Sequence, residues 1–409
     1  MSVRHTGARP KRILVFLPCF THGGAERQGA LLARYLRDRG HDVEVWGFPS
    51  LSEGAPLKST LQSWGLVFRE LPHWPRFDWS LLRPFPSIRQ LVPRRFRWSS
   101  ELAEFRQTLP QSRFDVVVPF TPQPCLVSVL LRRHLGAETV FWNHRGGFDP
   151  GGIRFSPFLV KALLAQSPSF VANSDIGAAF LRQTFALAPE RVPVIRNAFV
   201  SDAVVDAAAR DAPTAGGPVA KPLSLAHVAN FFAEKDGETL LRAMALLKSH
   251  GTPCHLHLAG HFPISRVRRR LERAAAALQI QDRVTIHGAL ERDQVHRLLK
   301  DADIGLLSSR SEGTPNSIME YMYWGLPVVA SDVPGIRELV GEDRAEWLFA
   351  VGDHVRLAGL IERLGRDPQL RIRLGMANHE RIVEVYGADR ILPQWDRLIE
   401  RESREPMAR

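Results

Sequence analysis

Two glutamates frame the stretch Glu312-Gly-Thr-Pro-Asn-Ser-Ile-Met-Glu320, which follows an apolar strand and opens a helical pattern. Thr314 is expected as the N-cap and Pro315 at the first helical position, where a missing N–H costs nothing. A helix start at the carboxyl end of a parallel strand offers backbone N–H groups and a positive dipole end, a favourable place for a phosphate. Glu320 lies roughly six helical residues beyond the cap, ~9 Å at the standard rise. One carboxylate can then serve hydroxyls on one side of a diphosphate and the other carboxylate a ribose on its far side, each accepting paired hydrogen bonds. The spacing by itself equally fits one solvated loop acid and one helix-surface acid.

The elements that must position these groups alternate along the chain. Arg12 to Leu17 reads as a buried strand, followed by the loop Thr21-His-Gly-Gly-Ala-Glu-Arg-Gln28, a helix through Leu36, and a strand from Asp42 to Trp46. This is a βαβ unit. Further strands are expected at Asp115 to Val118, Thr139 to Trp142, Phe170 to Ala172 and Val192 to Ile195. Residues 201–222 lack periodicity and end in Gly, Pro and Lys, as a linker does. A second series follows, with strands at Leu223 to Val228, His255 to Gly260, Val284 to Gly288, Ile304 to Ser308 and Leu326 to Ala330. The fold class expected is α/β, with two Rossmann-like doubly wound parallel-sheet domains facing a cleft. The expected domains are residues 1–200, the linker 201–222, a second domain 223–385, and a carboxyl-terminal helix 386–409 packing back on the first domain.

Bulk properties agree with this reading. A chain of 409 residues, 44% hydrophobic and 24% charged, suits two globular cores better than one. The apolar run Ile13 to Phe20 is interrupted by Pro18 and is too short for a signal or a span. Cys19, Cys125 and Cys254 form no metal-type or disulfide pattern. The expectation is a cytoplasmic protein. Its formal charge of +11 favours anionic partners, although a generally basic surface gives the same number.

The motif and its surroundings resemble glycosyltransferase family 4, whose Glu-x7-Glu motif matches Glu312 to Glu320 within the block Ala302 to Glu320. Gly325-Leu-Pro-Val-Val-Ala330, Gly335-Ile-Arg-Glu-Leu339 and Val228 to Leu241 are also similar to that family. In the first half Gly23-Gly-Ala-Glu-Arg27, Arg39-Gly-His-Asp-Val43, Val171-Ala-Asn-Ser174 and Ile195-Arg-Asn197 match in order. The resemblance spans about residues 12–385. It implies a GT-B fold and a retaining, metal-independent hexosyl transfer from a UDP- or GDP-linked sugar to a hydroxyl of a lipid-linked or glycan acceptor, in cell-envelope polysaccharide or glycolipid synthesis. It implies no cofactor and no nucleic-acid partner.

Carried over by position, Lys235 would neutralise the leaving diphosphate, Glu312 would hold hydroxyls of the transferred sugar, and Glu320 the ribose. Gly313, Thr314, Asn316 and Ser317 would line the phosphate and sugar, and Gly23 and Gly24 would let the first loop approach closely. The base would lie near His287 to Leu290, at Gly288, and His144 would line the sugar pocket from the other domain. Ala229-Asn230 stands where many relatives have Gly-Arg, so a second cationic ligand is missing; either Arg310 or Arg145 would replace it, or Lys235 would act alone. Ala198 stands where glycine is frequent, and Tyr321 and Tyr323 replace small residues.

Other readings compete for single features. Asp301-Ala-Asp303 has a metal-binding spacing but runs straight into an apolar strand. His255 and His257 share a strand face at metal-pair spacing, but with no third ligand nearby in sequence a packed or hydrogen-bonded pair is the expectation. Gly23-Gly24 lacks the full dinucleotide fingerprint. His22 and Glu26 border that loop, either against an acceptor or, for Glu26, complementing the helix dipole. Arginines and aromatics interleaved over residues 73–100 suit an anionic membrane surface, a single-stranded nucleic acid or a packed loop. The membrane option places the protein on the inner face of the cytoplasmic membrane. A nucleotide-sugar epimerase or phosphorylase on a similar fold, and a non-catalytic sugar-nucleotide-binding module, are the alternative functions.

Overall fold

The computed structural model describes residues 9–21, 23–50, 55–72, 105–110, 112–146, 155–200, 222–232 and 234–404. His22, the segment 73–100 and nearly all of the 201–222 stretch lie outside them. Short runs of Val, Ile, Leu and Phe give β1 (Arg12–Leu17), β2 (Asp42–Gly47), β3 (Val67–Glu70), β4 (Val116–Pro119), β5 (Thr139–His144) and β6 (Ser169–Ala172). They pair in parallel in the order β3-β2-β1-β4-β5-β6. Between them run α1 (Gly24–Asp38), α2 (Pro56–Ser63), α3 (Pro122–Leu130), α4 (Pro157–Leu164) and α5 (Asp175–Phe185).

The second series comprises β7 (Leu223–Val228), β8 (Cys254–Ala259), β9 (Val284–Gly288), β10 (Ile304–Leu307), β11 (Val328–Ser331) and β12 (Leu348–Phe349). Its order, β12-β11-β10-β7-β8-β9, is again all parallel. The accompanying helices are α6 (Gly237–Ser249), α7 (Ser265–Ala277), α8 (Arg292–Asp301), α9 (Asn316–Tyr323), α10 (Pro334–Val340), α11 (His354–Arg366), α12 (Pro368–Tyr386) and α13 (Ala388–Arg404). Each sheet thus has the doubly wound order, in which the order of strand addition reverses beside its first strand. In the second sheet that switch lies between β7 and β10.

Three differences from the sequence reading have local causes. Residues 192–195 form no strand, because Pro193 has no N–H for a ladder; Val194 makes only an isolated bridge to Ala172. β3 is four residues long with two exposed acids or bases, and β12 has two residues, so neither carries a periodic signal.

Two compact units emerge: residues 1–197 with 389–409, and residues 198–388. In the first, apolar side chains such as Leu14, Phe16, Trp46, Val117 and Trp142 fill the core. In the second, both sheet faces are covered: Leu225, Leu256 and Leu258 pack with α6 and α11, and Ala226 and Leu307 with α9 and α10. That double burial explains why the strands read as unbroken apolar runs. No helix among the described residues is long and apolar enough to cross a membrane.

α13 closes the first unit. Trp395 is 1% exposed and meets Phe141 edge-on at 6.0 Å. Asp396 accepts from Tyr35 Oη at 2.8 Å and pairs with Arg39, and Ser169 Oγ donates to Glu402. Trp395→Ala is expected to cost about 3–5 kcal/mol through the cavity it leaves, read as a lower urea midpoint for the full chain. An unchanged midpoint would show that this helix does not contribute to the folded unit.

Candidate active site

The switch between β7 and β10 brings together segments far apart in sequence. The chain leaving β7 is stitched to the chain leaving β10 by Asp236 N–H donating to Ser308 O at 3.0 Å and Arg310 N–H to Glu234 O at 2.9 Å. Lys235 and Ser309 form an antiparallel bridge there. This places the Lys235 ammonium on Glu312 Oε1, and Ser309 Oγ donates to the same oxygen at 2.6 Å. Both side chains of the ion pair are largely enclosed, at 16% and 13% exposure. Ser309, which the sequence did not single out, is therefore the third member of the cluster. Its backbone N–H is held by Ser331 Oγ at 3.0 Å.

α9 begins at Asn316, one residue later than the sequence suggests. Pro315 has an extended ψ of 115° and stands at the N-cap, without a side-chain bond to the first turn. Thr314 is thus not the cap. Upstream, the carbonyls of Glu312 and Gly313 press on α10. A Cβ added to Gly335 would lie 1.9 Å from Gly313 O and 2.4 Å from Glu312 O. Only glycine lets the two backbones approach so closely, which gives Gly335 a role in fixing the Glu312 loop. Gly313 is buried, Thr314, Asn316, Ser317 and Glu320 are half-buried, and Arg310 is exposed.

Tyr321 anchors this helix from below. Val228 N–H donates to its hydroxyl at 2.6 Å, and its ring occupies the space where a side chain at Gly305 would lie, since a Cβ there would come within 2.5 Å of the ring. The large residue beside Glu320 is thus matched by glycine on β10, and it satisfies the end of β7. Asn230 is exposed, and its Oδ1 accepts from His261 N–H at 3.3 Å, a bond that ties the loop after β7 to the loop after β8. Gly288 ends β9 at a φ of +77°, a conformation glycine adopts without strain, and its carbonyl accepts from Gly260 N–H at 2.7 Å.

The remaining site candidates belong to the first unit. Gly23 is the N-cap of α1, and a Cβ there would strike the Glu26 carboxylate. Glu26 is buried, with Cys19 Sγ at 3.3 Å and Thr21 Oγ1 at 3.4 Å from Oε1. Burial pushes its carboxyl pKa up. Gly24 is the first helical residue. His144 ends β5, is 3% exposed, and stacks on Phe180 at 5.0 Å. Arg145 is committed inside this unit: it lies over the Phe120 ring at 4.7 Å and reaches Asn197 Oδ1 at 3.3 Å, and burial lowers its pKa to about 9. Of the two replacements considered for the missing cation, Arg310 is the one exposed to solvent. The carboxylate of Asp303 accepts from Ser224 N–H at 2.8 Å, a structural use that removes it from a metal-type pair.

One further buried group adjoins the Lys235 cluster. His227 is fully buried, and its Nδ1 lies 3.1 Å from Leu306 O. Burial first, and the nearby Lys235 charge second, hold its pKa down to about 3, while burial holds His144 to about 4. Both rings stay neutral when folded, whereas the unfolded chain takes up protons below about pH 6.5. Their stabilising contribution is complete above that pH and is lost as the pH falls toward the folded values. Urea midpoints should therefore decline between about pH 7 and pH 5, and decline less in His227→Asn. Identical pH slopes for the two proteins would contradict this.

Two family models match the chain in order: Glycosyltransferase Family 4 over residues 22–202 and Glycosyl transferases group 1 over residues 213–381. The amylovoran biosynthesis glycosyltransferase AmsK of Erwinia amylovora is 32% identical over 152 residues, 36% of this chain and 37% of its own length. The alpha-D-kanosaminyltransferase of Streptomyces kanamyceticus is 31% identical over 154 residues, 38% of this chain and 39% of its own. The chain thus spans less than two fifths of either relative. Among solved structures, Anabaena HepE in complex with UDP-glucose is similar in fold, with a TM-score of 0.71 at 19% identity over 95% of this chain and 100% of that one. Two doubly wound sheets, the ordered motifs and both matched models lead to one assignment: the chain belongs to glycosyltransferase family 4 and has the GT-B fold.

Proposed function

We propose that the protein transfers a hexosyl group from a nucleoside diphosphate sugar to a hydroxyl of a lipid-linked or glycan acceptor, with retention and without a metal ion. The observation that carries this reading is the Lys235–Glu312 pair held at the β7–β10 switch beside the start of α9. A diphosphate there would draw Lys235 from Glu312 and meet the backbone N–H groups of the helix start. Glu312, released from Lys235, would accept from sugar hydroxyls. Glu320 would serve the ribose, Arg310 would add a second positive charge, and the backbone at Gly288 would admit the base. HepE binds UDP-glucose, which makes UDP-linked sugars the first donors to test. The AmsK relative, named for amylovoran biosynthesis, supports a role in making a surface polysaccharide.

In the proposed reaction the bond between the anomeric carbon and the phosphate oxygen breaks, and the acceptor oxygen attacks from the same face. The acceptor proton passes to the leaving phosphate. Charge grows on that phosphate as the bond lengthens, and the Lys235 ammonium is placed to offset it, as preorganised donors do in other transfers. The first unit would bind the acceptor. His144, kept neutral by burial, can exchange hydrogen bonds with a hydroxyl without adding charge. The arginines and aromatics of residues 73–100 would hold the enzyme peripherally on an anionic membrane surface.

Glu312→Gln is expected to lower turnover by about 10²–10³, the usual cost of one preorganised contact, with the wild-type circular dichroism spectrum kept. Proton NMR of the product should show the donor's anomeric configuration, and EDTA should leave the rate intact. Turnover at the wild-type level in Glu312→Gln would overturn the site assignment, and an inverted linkage would overturn the retaining course.

A further inference from the structure

Beside the backbone at Gly288, where the nucleotide base would lie, the second sheet carries a cluster of three histidines. His255 and His257 project from one face of β8, and β9, the edge strand, lies beside them. Pairing runs from Leu258↔Ile286 directly to Ala259↔Gly288, so His287 is the extra residue of a β-bulge. Bulges re-aim side chains, and here the His287 ring stacks on His257 with centroids 5.3 Å apart. His257 Nδ1 and His287 Nε2 share a hydrogen bond of 3.0 Å, whose proton an ion held by both nitrogens would replace. The third ring, His255, packs 4.8 Å from His257 and has its Nε2 on Thr285 Oγ1 at 2.8 Å.

We infer that His257 and His287 form a chelating site for a first-row divalent transition metal such as zinc or nickel. Two imidazole nitrogens bound to one ion at ~2.05 Å stand about 2.9 Å apart at right-angle coordination and about 3.3 Å apart in a tetrahedron. The observed separation lies within that span. Imidazole is a ligand these ions favour, and it binds only when deprotonated. Among the described residues, no third His, Cys, Asp or Glu completes a protein ligand set. The other positions therefore go to water, which has room in an adjoining cavity of about 350 Å³ lined in part by His255, His257 and Asp301. An open two-imidazole chelate binds exchangeably, unlike a closed four-ligand zinc site. The inference rests on the three histidines and does not depend on the proposed transfer reaction.

The test uses the untagged full chain, stripped with EDTA, dialysed, and titrated calorimetrically with nickel or zinc chloride and with magnesium chloride as the control. The wild type should take up one more equivalent of nickel or zinc than His257→Ala/His287→Ala, and its melting temperature should rise with those ions and not with magnesium. The single variant His287→Gln, at an exposed position, should lose the same equivalent while keeping the wild-type circular dichroism spectrum. His261→Ala should bind as the wild type does. Equal nickel and zinc uptake by the wild type and His287→Gln would overturn the inference, as would a wild type that binds neither ion.

Discussion

The site depends on one constraint of topology: β7 and β10 are sheet neighbours although 79 residues separate Ser224 from Asp303 at their starts. The chain leaves these two strands toward helices on opposite sides of the sheet, so a space opens beyond their carboxyl ends. Here the two departing segments are bound to one another by backbone hydrogen bonds before they diverge. That short ladder sets Lys235 opposite Ser309 and lets both side chains converge on one oxygen of Glu312. Everything else around the site serves to keep this geometry fixed.

The supporting devices are steric as much as polar. Gly335 admits the Glu312–Gly313 backbone at a distance no side chain would allow, and Gly305 admits the Tyr321 ring. Tyr321 in turn satisfies the last N–H of β7. These contacts tie the loops bearing Lys235, Glu312 and Glu320 to rigid elements, which is what a preorganised site requires. The ion pair is itself largely enclosed, so removing one partner leaves the other charge poorly compensated. On the proposed function, an incoming diphosphate would avoid that penalty by supplying negative charge to Lys235 as Glu312 turned to neutral hydroxyls.

Much of this is legible in the residues. Apolar runs mark the strands wherever they are long enough; β3 and β12 are too short, and Pro193 breaks the run at 192–195. Lys235, Glu312 and Glu320 stand out by type and spacing. What spacing does not contain is pairing across the sheet. The direct Lys235–Glu312 contact, the role of Ser309 and the fit of Gly335 arise from segments well separated along the chain. The start of α9 falls one residue beyond the expected position because Pro315 suits both the cap and the first turn. The part played by His287 is hidden for a similar reason: β8 displays the alternation of His255 and His257, but the bulge that brings a third ring to them is a property of the β8–β9 register.

Lys235 belongs to Glu312 in the free protein and, on the proposed function, to the diphosphate once donor is bound. Calorimetric binding of UDP to the wild type and to Lys235→Ala tests this exchange most directly. Lys235→Ala is expected to bind UDP at least tenfold more weakly, about 1.4 kcal/mol, with its fold intact by circular dichroism. Binding of UDP by Lys235→Ala as tight as by the wild type would contradict the exchange.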